Sequence, residues 1–375
     1  NYPVGLSAGM GVNALFTYTV CLEMGYSWQA ALAAVFISGV IFVVISVTGV
    51  RKMIIDAIPV QLKLAIGAGI GFFIAFVGLK NAALIVAVES TFVGIGNLAD
   101  PSVLLAVFGI IVTIVCVIRN VPAAIFVGLI ITAVVGVILG FLGMEGMPMI
   151  GGLFTADFSL STFGACFNGF GELFAQPFNA FVIIFAFLFV DFFDTAGTLV
   201  AVGNKIGLVN SNGELEGAEK ALLADSFGTL IGSVLGTSTV TSFVESSAGV
   251  GVGGRTGLTA IVTGLMFGLS IFISPLFLGL ITNAVTAPAL VVVGVLMAQQ
   301  LKDVEWDNLI YAIPAFITII SMILTYSISD GIAFGFIAYA TAMTAAGKAK
   351  EVHPTVWVLL VIFVFYFASP YLGVF

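Results

Sequence analysis

The amino-acid sequence predicts an all-α polytopic membrane protein, and its composition is the first reason. Of the 375 residues, 61% are hydrophobic and only 8% are charged, whereas an ordinary soluble domain has about 45–50% apolar and about 25% charged residues. At roughly 20 residues per crossing, the apolar share is enough for about eleven helical spans. The second reason is the pattern. Stretches such as 28–47 are apolar on nearly every side, which is typical of membrane helices and not of strands that alternate apolar and polar residues.

Charge and cysteine content exclude several classes of function. The chain has 11 Lys and Arg against 19 Asp and Glu, a net charge of −8, and no polybasic run that could follow nucleic-acid phosphates, so no nucleic-acid partner is expected. Cys21, Cys116 and Cys166 are far apart, and His353 is the only histidine. Neither a disulfide framework nor a metal or haem site is therefore predicted. We expect no cofactor.

Apolar runs along the chain predict the membrane spans. Eight runs are long enough to cross: 27–50, 60–80, 102–118, 122–143, 177–202, 257–281, 285–300 and 308–328. Three shorter segments, rich in Gly, Ser and Thr, are expected to be interrupted helices: 4–22, 221–240 and 241–254. Two more runs, 330–346 and 354–373, are also long enough, and whether each crosses is left open.

Basic residues predict the orientation of the chain. Lys and Arg accumulate in cytoplasmic loops, and here they fall on alternate connections between the predicted spans. Segment 144–176 contains Glu145, Asp157 and Glu172 and no Lys or Arg. We therefore expect this segment to be extracytoplasmic. Lys80, at the end of a span, is the one clear exception to the alternation.

A weak internal repeat relates the two halves of the sequence. Asn13 lies in a Gly-rich segment followed by a long span and then Pro59, and Glu245 precedes a long span and then Pro288 in the same way. Transporters often duplicate a bundle in inverted orientation, so that paired broken helices meet at the bilayer midplane around the substrate. The pattern predicts that architecture. By repeat symmetry, we expect two further helices in front of residue 1.

Three acidic residues at membrane depth are the candidate functional groups: Asp191, Asp194 and Glu245. An ionised carboxylate in hydrocarbon costs about 2.5–3.5 kcal/mol on insertion scales, so such acids usually face a bundle interior or an aqueous cavity. Asp191 and Asp194 are three residues apart and share one face of a helix. Two close carboxyls in a medium of low dielectric suit a proton carrier. A hydrogen bond between helices is the structural alternative.

Polar groups for a flat ligand are expected in two segments. The run 236–256, which contains Glu245, is rich in Gly and hydroxyl residues, and unwound backbone there, near Val250, would offer N–H and C=O groups. Asn13 offers both a donor and an acceptor, as the edge of a base requires, with helix packing or capping as the alternative. No nucleophile, base and orienting group are recognisable together, so an enzyme is not expected.

Four runs resemble the AzgA-like purine permeases. These are GMGVNALFTY at 9–18, FVDFFDTAGT at 189–198, the run 236–256 and SDGIAFGF at 329–336. AzgA-like proteins are the guanine, hypoxanthine and adenine permeases of the nucleobase-cation symporter 2 superfamily, also called nucleobase-ascorbate transporters. The similarity covers essentially the whole chain. It implies two inverted repeats of seven segments, with broken helices at the midplane and with the two N-terminal helices missing here.

The resemblance also implies a division into a core domain, which holds the site, and a gate domain, which moves against it. The expected parts are 1–50 (core, first repeat), 51–143 (gate, first repeat), 144–176 (extracytoplasmic loop), 177–281 (core, second repeat) and 282–375 (gate, second repeat, and C-terminal segment). A homodimer through the gate domain is expected by analogy only.

Family roles are carried over by motif. Asn13 and Glu245 match the polar residues of the two broken helices that hold the base, and Asp191 and Asp194 match the acidic pair. We therefore predict an importer of purine bases in the plasma (inner) membrane, with a purine, a proton and the lipid bilayer as its partners. Glu245 and Asp191 are expected to bind ring N–H groups, and Asp194 or Glu245 to carry the proton. Asn13 and backbone amides near Val250 are expected to read the remaining edge.

Other readings of the sequence stay open. Phe16 and Phe243 are candidates for stacking on the base. An anion exchanger or a channel could use the same fold, because fold alone does not define function. An anion site would favour a cation opposite the broken helices, whereas this chain has Glu245 there and no Lys or Arg nearer than Arg255. A Na+-coupled nucleobase carrier is the third reading, because a carboxylate binds sodium as easily as it takes a proton.

Overall fold

Long helices dominate the computed structural model, which describes residues 2–9, 12–13, 15–50, 54, 57–152, 154–155, 159–208, 215–243 and 245–368. The first half contains β1 (Leu6–Ala8), α1 (Leu15–Glu23, a π-helix), α2 (Trp28–Val47), α3 (Val60–Asn81), β2 (Ile85–Val88), β3 (Phe92–Ile95), α4 (Pro101–Ile118) and α5 (Ala124–Phe141). The second half contains α6 (Phe170–Leu173), α7 (Pro177–Ile206), α8 (Ala218–Leu235), β4 (Val240–Ser242), α9 (Ser246–Gly251), α10 (Gly257–Phe272), α11 (Ser274–Leu280), α12 (Asn283–Ala298), α13 (Leu309–Leu324), α14 (Ile328–Ala345) and α15 (Pro354–Ala368).

Six of the described helices are long and apolar enough to cross a membrane: α2, α3, α4, α5, the 177–199 part of α7, and α12 with the 3₁₀ turn that follows it. Helices α10 and α11 bend by 84° against each other and together make one more candidate span. The break lies just before Pro275, which has no N–H to continue the ladder of α10. The multi-pass membrane architecture is confirmed. Seven of the eight predicted spans correspond to these candidates, and the eighth, 308–328, forms the shorter apolar helix α13 (Leu309–Leu324).

The three segments expected to be interrupted helices differ in outcome. Segment 4–22 forms β1 and α1, and 241–254 forms the end of β4 and the short α9. For 221–240 the prediction is wrong, because α8 runs unbroken from Ala218 to Leu235. Its buried polar side chains, Asp225, Ser226 and Thr229, bond to neighbouring elements, so a helix break is not needed to satisfy them. The 354–373 run forms α15 as far as 368, and 369–373 lies outside the described residues.

Two short strands from the two halves of the chain pair with each other. β1 pairs antiparallel with β4, with Leu6 opposite Ser242 and Ala8 opposite Val240. Helix α1 follows β1, and α9 follows β4. Because each strand leads into a helix and the two run in opposite directions, they form the paired broken helices that the internal repeat predicted.

Two triplets of helices pack in equivalent ways. Helices α3, α4 and α5 form one triplet and α12, α13 and α14 the other, with α3 packed on α12 and α13, and α12 packed on α3 and α4. At the crossing of α3 and α12, a Cβ on Gly71 would lie 2.8 Å from the carbonyl oxygen of Gly294, and one on Gly294 would lie 2.5 Å from that of Gly71. Two glycines therefore permit the close approach of the two helices.

Helix α7 lies between these triplets and helices α2 and α8. It contacts α2, α8, β4 and α9 on one side, and α3 and α14 on the other. Helices α2 and α8 pack tightly, with the hydroxyls of Ser46 and Ser226 separated by 2.9 Å. The helix that carries the predicted acidic pair is thus placed where the two groups of helices meet.

The segment between α5 and α7 is anchored on the start of α2. Glu172 accepts hydrogen bonds from the backbone N–H of Ser27 at 2.8 Å and from its hydroxyl at 2.5 Å. The Ser27 hydroxyl also accepts from the N–H of Ala30 as the N-cap of α2. The two hydrogen bonds from Ser27 stabilise the ionised carboxylate and lower the pKa of Glu172.

Candidate functional site

A cavity that opens to solvent lies beside α7, with about 590 Å³ of empty space when the adjoining solvent is included. Its polar wall comes from α7, β4 and the segment leading into α9, and consists of Asp194, Thr198, Thr241, Ser242 and Glu245. A second wall is largely apolar and comes from α3, the connection of α13 to α14 and the first residue of α14. It consists of Ile70, Phe73, Ile74, Val77, Tyr326 and Ile328. The cavity thus combines a few polar groups with a larger apolar surface.

The structure brings two of the predicted acidic residues together at the cavity. Asp194 of α7 hydrogen-bonds the side chain of Thr241, and Glu245 and Asp225 are its charged neighbours. Glu245 is half-buried and lies just before α9. Strand β4 ends at Ser242, so the chain turns into α9 within three residues and aims Glu245 at the cavity from the same side as Asp194.

Asp191 is placed differently. Its side chain is fully buried, and Oδ2 lies 3.2 Å from the hydroxyl of Thr229 in α8, which is also 2.8 Å from the carbonyl oxygen of Val240. Asp191 is not among the described residues that line the cavity. In this conformation it therefore joins α7, α8 and β4 behind the polar wall.

Asn13 and Val250 also lie outside the cavity lining. The side-chain oxygen of Asn13 accepts a hydrogen bond from the hydroxyl of Ser238, just before β4. Val250 is buried, and its carbonyl accepts from the guanidinium of Arg255 at 2.5 Å. Asn13 thus connects the first broken helix to the segment that precedes β4, and Val250 is bonded to the loop after α9.

Of the two aromatic candidates for stacking, one faces the cavity. Phe243 lines it, whereas Phe16 packs against Phe187 of α7, with ring centroids 6.2 Å apart. Within the described ranges, no group of three or more His, Cys, Asp and Glu side chains is arranged to hold a metal ion.

Three functional candidates escaped the sequence-based reasoning: Thr198, Asp225 and Tyr326. Thr198 lines the cavity, and its buried hydroxyl has no hydrogen-bond partner among the described residues. It follows Asp194 by four residues, so helical periodicity alone could have found it.

Asp225 accepts from Thr195 at 3.0 Å and from Ser242 at 3.2 Å. Its position inside an apolar helix could have marked it as a candidate in the sequence. Tyr326 lies in a turn, where the sequence carries no such signal.

Comparison with known proteins agrees with this architecture. A family model described as the Permease family (Xan_ur_permease) matches residues 1–334. The guanine/hypoxanthine permease PbuG of Bacillus subtilis (strain 168) is 51% identical over 366 residues, which cover 98% of this chain and 81% of PbuG. The chain belongs to the Permease family. It is therefore a membrane permease and not an enzyme.

Other relatives of the permease carry related names. The adenine permease AdeP of Escherichia coli (strain K12) is 40% identical over 366 residues, covering 97% of this chain and 80% of AdeP. The guanine/hypoxanthine permease PbuO of Bacillus subtilis (strain 168) is 41% identical over 376 residues, covering 97% of this chain and 83% of PbuO. The resemblance to purine permeases stated from the sequence motifs is thereby confirmed.

Solved structures show the same fold at low sequence identity. The transmembrane domain of a cyanobacterium bicarbonate transporter, BicA, superimposes with a TM-score of 0.57 at 15% identity, covering 89% of this chain and 84% of that one. SLC26A9 has a TM-score of 0.57 at 14% identity, covering 92% of this chain and 58% of that one. The permease therefore has the inverted-repeat fold that the sequence predicted. At this low identity the solved structures show the fold and not the function.

Proposed function

We propose that this permease is a secondary active transporter that imports purine nucleobases (guanine, hypoxanthine or adenine) across the plasma (inner) membrane by proton symport with alternating access. The observation that carries the proposal is the cavity wall on which the carboxyls of Asp194 and Glu245 lie together. The names of the similar proteins, which are guanine/hypoxanthine and adenine permeases, support the choice of substrate.

The chemistry of the cavity suits a flat heterocycle. A purine has two apolar faces and an edge of N–H, ring nitrogen and carbonyl groups. Carboxylates accept hydrogen bonds from N–H groups, and hydroxyls donate to ring nitrogens or carbonyls. The second wall offers side chains such as Phe73 and Ile74 to the faces. The hydroxyl of Thr198, which has no partner among the described residues, is available as a donor.

For the individual residues we propose that Glu245 binds a ring N–H group and that Asp194 or Glu245 carries the coupled proton. The two acids line one cavity, and a second carboxylate nearby makes it unfavourable for both to be ionised at once, so one of them is suited to take up a proton. Contact of Asp191 with the base stays a prediction, since in this conformation its carboxyl is bonded to Thr229. The roles of Asn13 and of backbone amides near Val250 at the remaining edge also stay predictions.

We further propose that residues 1–50 and 177–281 form a core domain, 51–143 and 282–375 a gate domain, and 144–176 an extracytoplasmic loop. The position of the cavity supports this division, because its polar wall comes from α7, β4 and the segment before α9, and its apolar wall from α3 and the α13–α14 connection. A movement of one group of helices against the other would open the cavity to either side. A homodimer through the gate domain stays a prediction.

The same fold serves the bicarbonate transporter BicA, but the cavity here disfavours an anion. Among the described residues that line it are two carboxyls and no Lys or Arg. A carboxylate repels an anion and attracts a proton or an N–H group. Sodium coupling is chemically equivalent for a carboxylate, so only the ion dependence of transport separates the two.

The test is uptake of labelled hypoxanthine, guanine and adenine by a host that lacks its own purine carriers. We expect saturable uptake of at least one purine, collapse of that uptake with a protonophore, and no effect when sodium is replaced by choline. In proteoliposomes held at zero membrane potential, addition of the purine should acidify the lumen. Uptake that needs sodium would contradict proton coupling, and transport of bicarbonate without any purine would contradict the substrate.

A further inference from the structure

Tyr326 occupies an unusual backbone position in the turn between α13 and α14. Its φ is +56°, in the left-handed region that side chains other than glycine rarely adopt. Of the described non-glycine residues with positive φ, only Tyr326 lines the cavity. Such a conformation persists only where the surroundings hold it in place, and it is common at ligand-binding sites.

Three side chains of α3 hold the ring of Tyr326. Its centroid lies 5.4 Å from that of Phe73 and 6.1 Å from that of Phe76, and the ammonium of Lys80 lies 3.9 Å from it. Positions 73, 76 and 80 follow one stripe of a helix. The ring therefore packs against one face of α3, with the ammonium of Lys80 over the face of the ring.

The cation–π contact accounts for the position of Lys80. This residue is the exception to the alternation of basic residues along the chain, and it lies in the last turn of α3. A cation in the last turn of a helix is favourable in any case, so stabilisation of α3 is the structural alternative. That alternative does not require the ammonium to lie over an aromatic ring that borders the cavity.

We propose that Tyr326 is a substrate-positioning residue of the second wall. With Phe73 it forms an aromatic corner against which the flat face of the base packs, and Lys80 holds its ring there. The inference rests on the proposed function and adds a recognition element to it. Asp194 and Glu245 bind the polar edge of the base, and the ring of Tyr326 packs against its flat face. Because the two walls come from different groups of helices, the bound base would bridge them.

The test measures KM and Vmax of purine uptake for Tyr326 variants. Tyr326→Asn removes the ring while keeping a residue that tolerates the left-handed conformation, and it should raise KM about tenfold or more, as loss of one base–aromatic stack would. Tyr326→Phe should keep a KM close to that of the wild type, since the ring and its contact with the Lys80 ammonium remain. Vmax per molecule of permease in the membrane should change much less than KM.

Lys80 gives an independent test through coupling. Lys80→Met should raise KM about threefold, as expected for one exposed cation–π contact, and Lys80→Arg should not. In the Tyr326→Asn background the same Lys80→Met change should have no effect, because the ring on which it acts is gone. Phe72→Leu is the control for a change on α3 away from the cavity. Phe72 is 38% exposed and does not line the cavity, so this variant should leave KM unchanged.

Each outcome separates this inference from the proposed function. If the wild-type permease takes up no purine, the proposed function fails. If it takes up a purine and Tyr326→Asn leaves KM unchanged, or lowers only Vmax, the positioning role of Tyr326 is overturned. An equal effect of Lys80→Met in both backgrounds would show that Lys80 acts through helix stability and not through Tyr326.

Discussion

The hydroxyl of Ser242 donates a hydrogen bond to Oδ1 of Asp225 across 3.2 Å, which ties strand β4 to helix α8. Thr195 of α7 donates to the same carboxyl, 3.0 Å from each oxygen. Ser242 lines the cavity, whereas Asp225 is buried behind it. A buried carboxyl therefore holds part of the polar wall in position.

Removal of that carboxyl should destabilise the protein. In Asp225→Ala the hydroxyls of Thr195 and Ser242 lose a buried acceptor, which costs about 1–3 kcal/mol. Asp225→Asn keeps one acceptor oxygen and should lose less. Thermal unfolding of the detergent-solubilised protein measures both, with Asp307→Ala in an exposed connection as the control. Equal melting temperatures for Asp225→Ala and Asp307→Ala would rule out this role for Asp225.

Glu245→Gln should reduce saturable purine uptake to the background of the host. The amide has nearly the same size, but it neither carries a negative charge nor takes up a proton. Glu351→Gln is a suitable control, since Glu351 is exposed and its ion pair with the ammonium of Lys348 is a long one of 3.9 Å on the surface. Membrane levels of each variant are compared by immunoblot. Wild-type uptake by the Glu245→Gln protein would refute the assignment.

Asn13→Ala should mainly raise KM and leave Vmax nearly unchanged. The side-chain oxygen of Asn13 accepts from Ser238, so Ser238→Ala should reproduce part of the effect by releasing the amide. Because the two side chains are in contact, the double variant should show less than the sum of the two changes in free energy. Full additivity in transport kinetics would mean that this hydrogen bond does not position Asn13.

Gly71→Ala should lower the yield and the melting temperature of the permease. The added Cβ would lie 2.6 Å from Cβ of Met297 and 2.8 Å from the carbonyl oxygen of Gly294, so α3 and α12 must separate. Gly264→Ala is the matched control, because nothing lies within 4 Å of its added Cβ and alanine favours a helix by up to about 1 kcal/mol. A Gly71→Ala protein as stable as Gly264→Ala would contradict the close crossing.

The contact of Glu172 with Ser27 should make stability depend on pH in the acid range. The pKa of Glu172 is lowered in the folded protein, so its contribution is complete above the ordinary glutamate pKa of about 4.3 and is lost as the pH falls through the lowered value. The melting temperature of Glu172→Gln should therefore lie below that of the wild type at pH 7. The difference should shrink at acid pH. A difference that does not change with pH would exclude the ionised carboxylate as its source.

Helical periodicity predicts which residues share a face of a helix, but not which of them line the cavity. Asp191 and Asp194 share one stripe of α7, as their spacing predicts, yet only Asp194 lines the cavity. The distinction is made by α8, which places Thr229 beside Asp191. The richness of segment 221–240 in Gly, Ser and Thr predicts an interrupted helix. The segment stays helical because α7, α2 and β4 supply partners for its polar side chains.

The sequence by itself determined the membrane class, the positions of the long apolar helices, the inverted pairing of two broken helices and the family. These follow from local composition and motifs, since each span must be apolar over its own length and satisfy its own backbone hydrogen bonds. Tertiary structure alone decided which polar groups reach the cavity and which are bonded behind it. It also brought Tyr326 to the aromatic stripe of α3, because the sequence of a helix can show which of its faces packs but not which distant segment packs against that face.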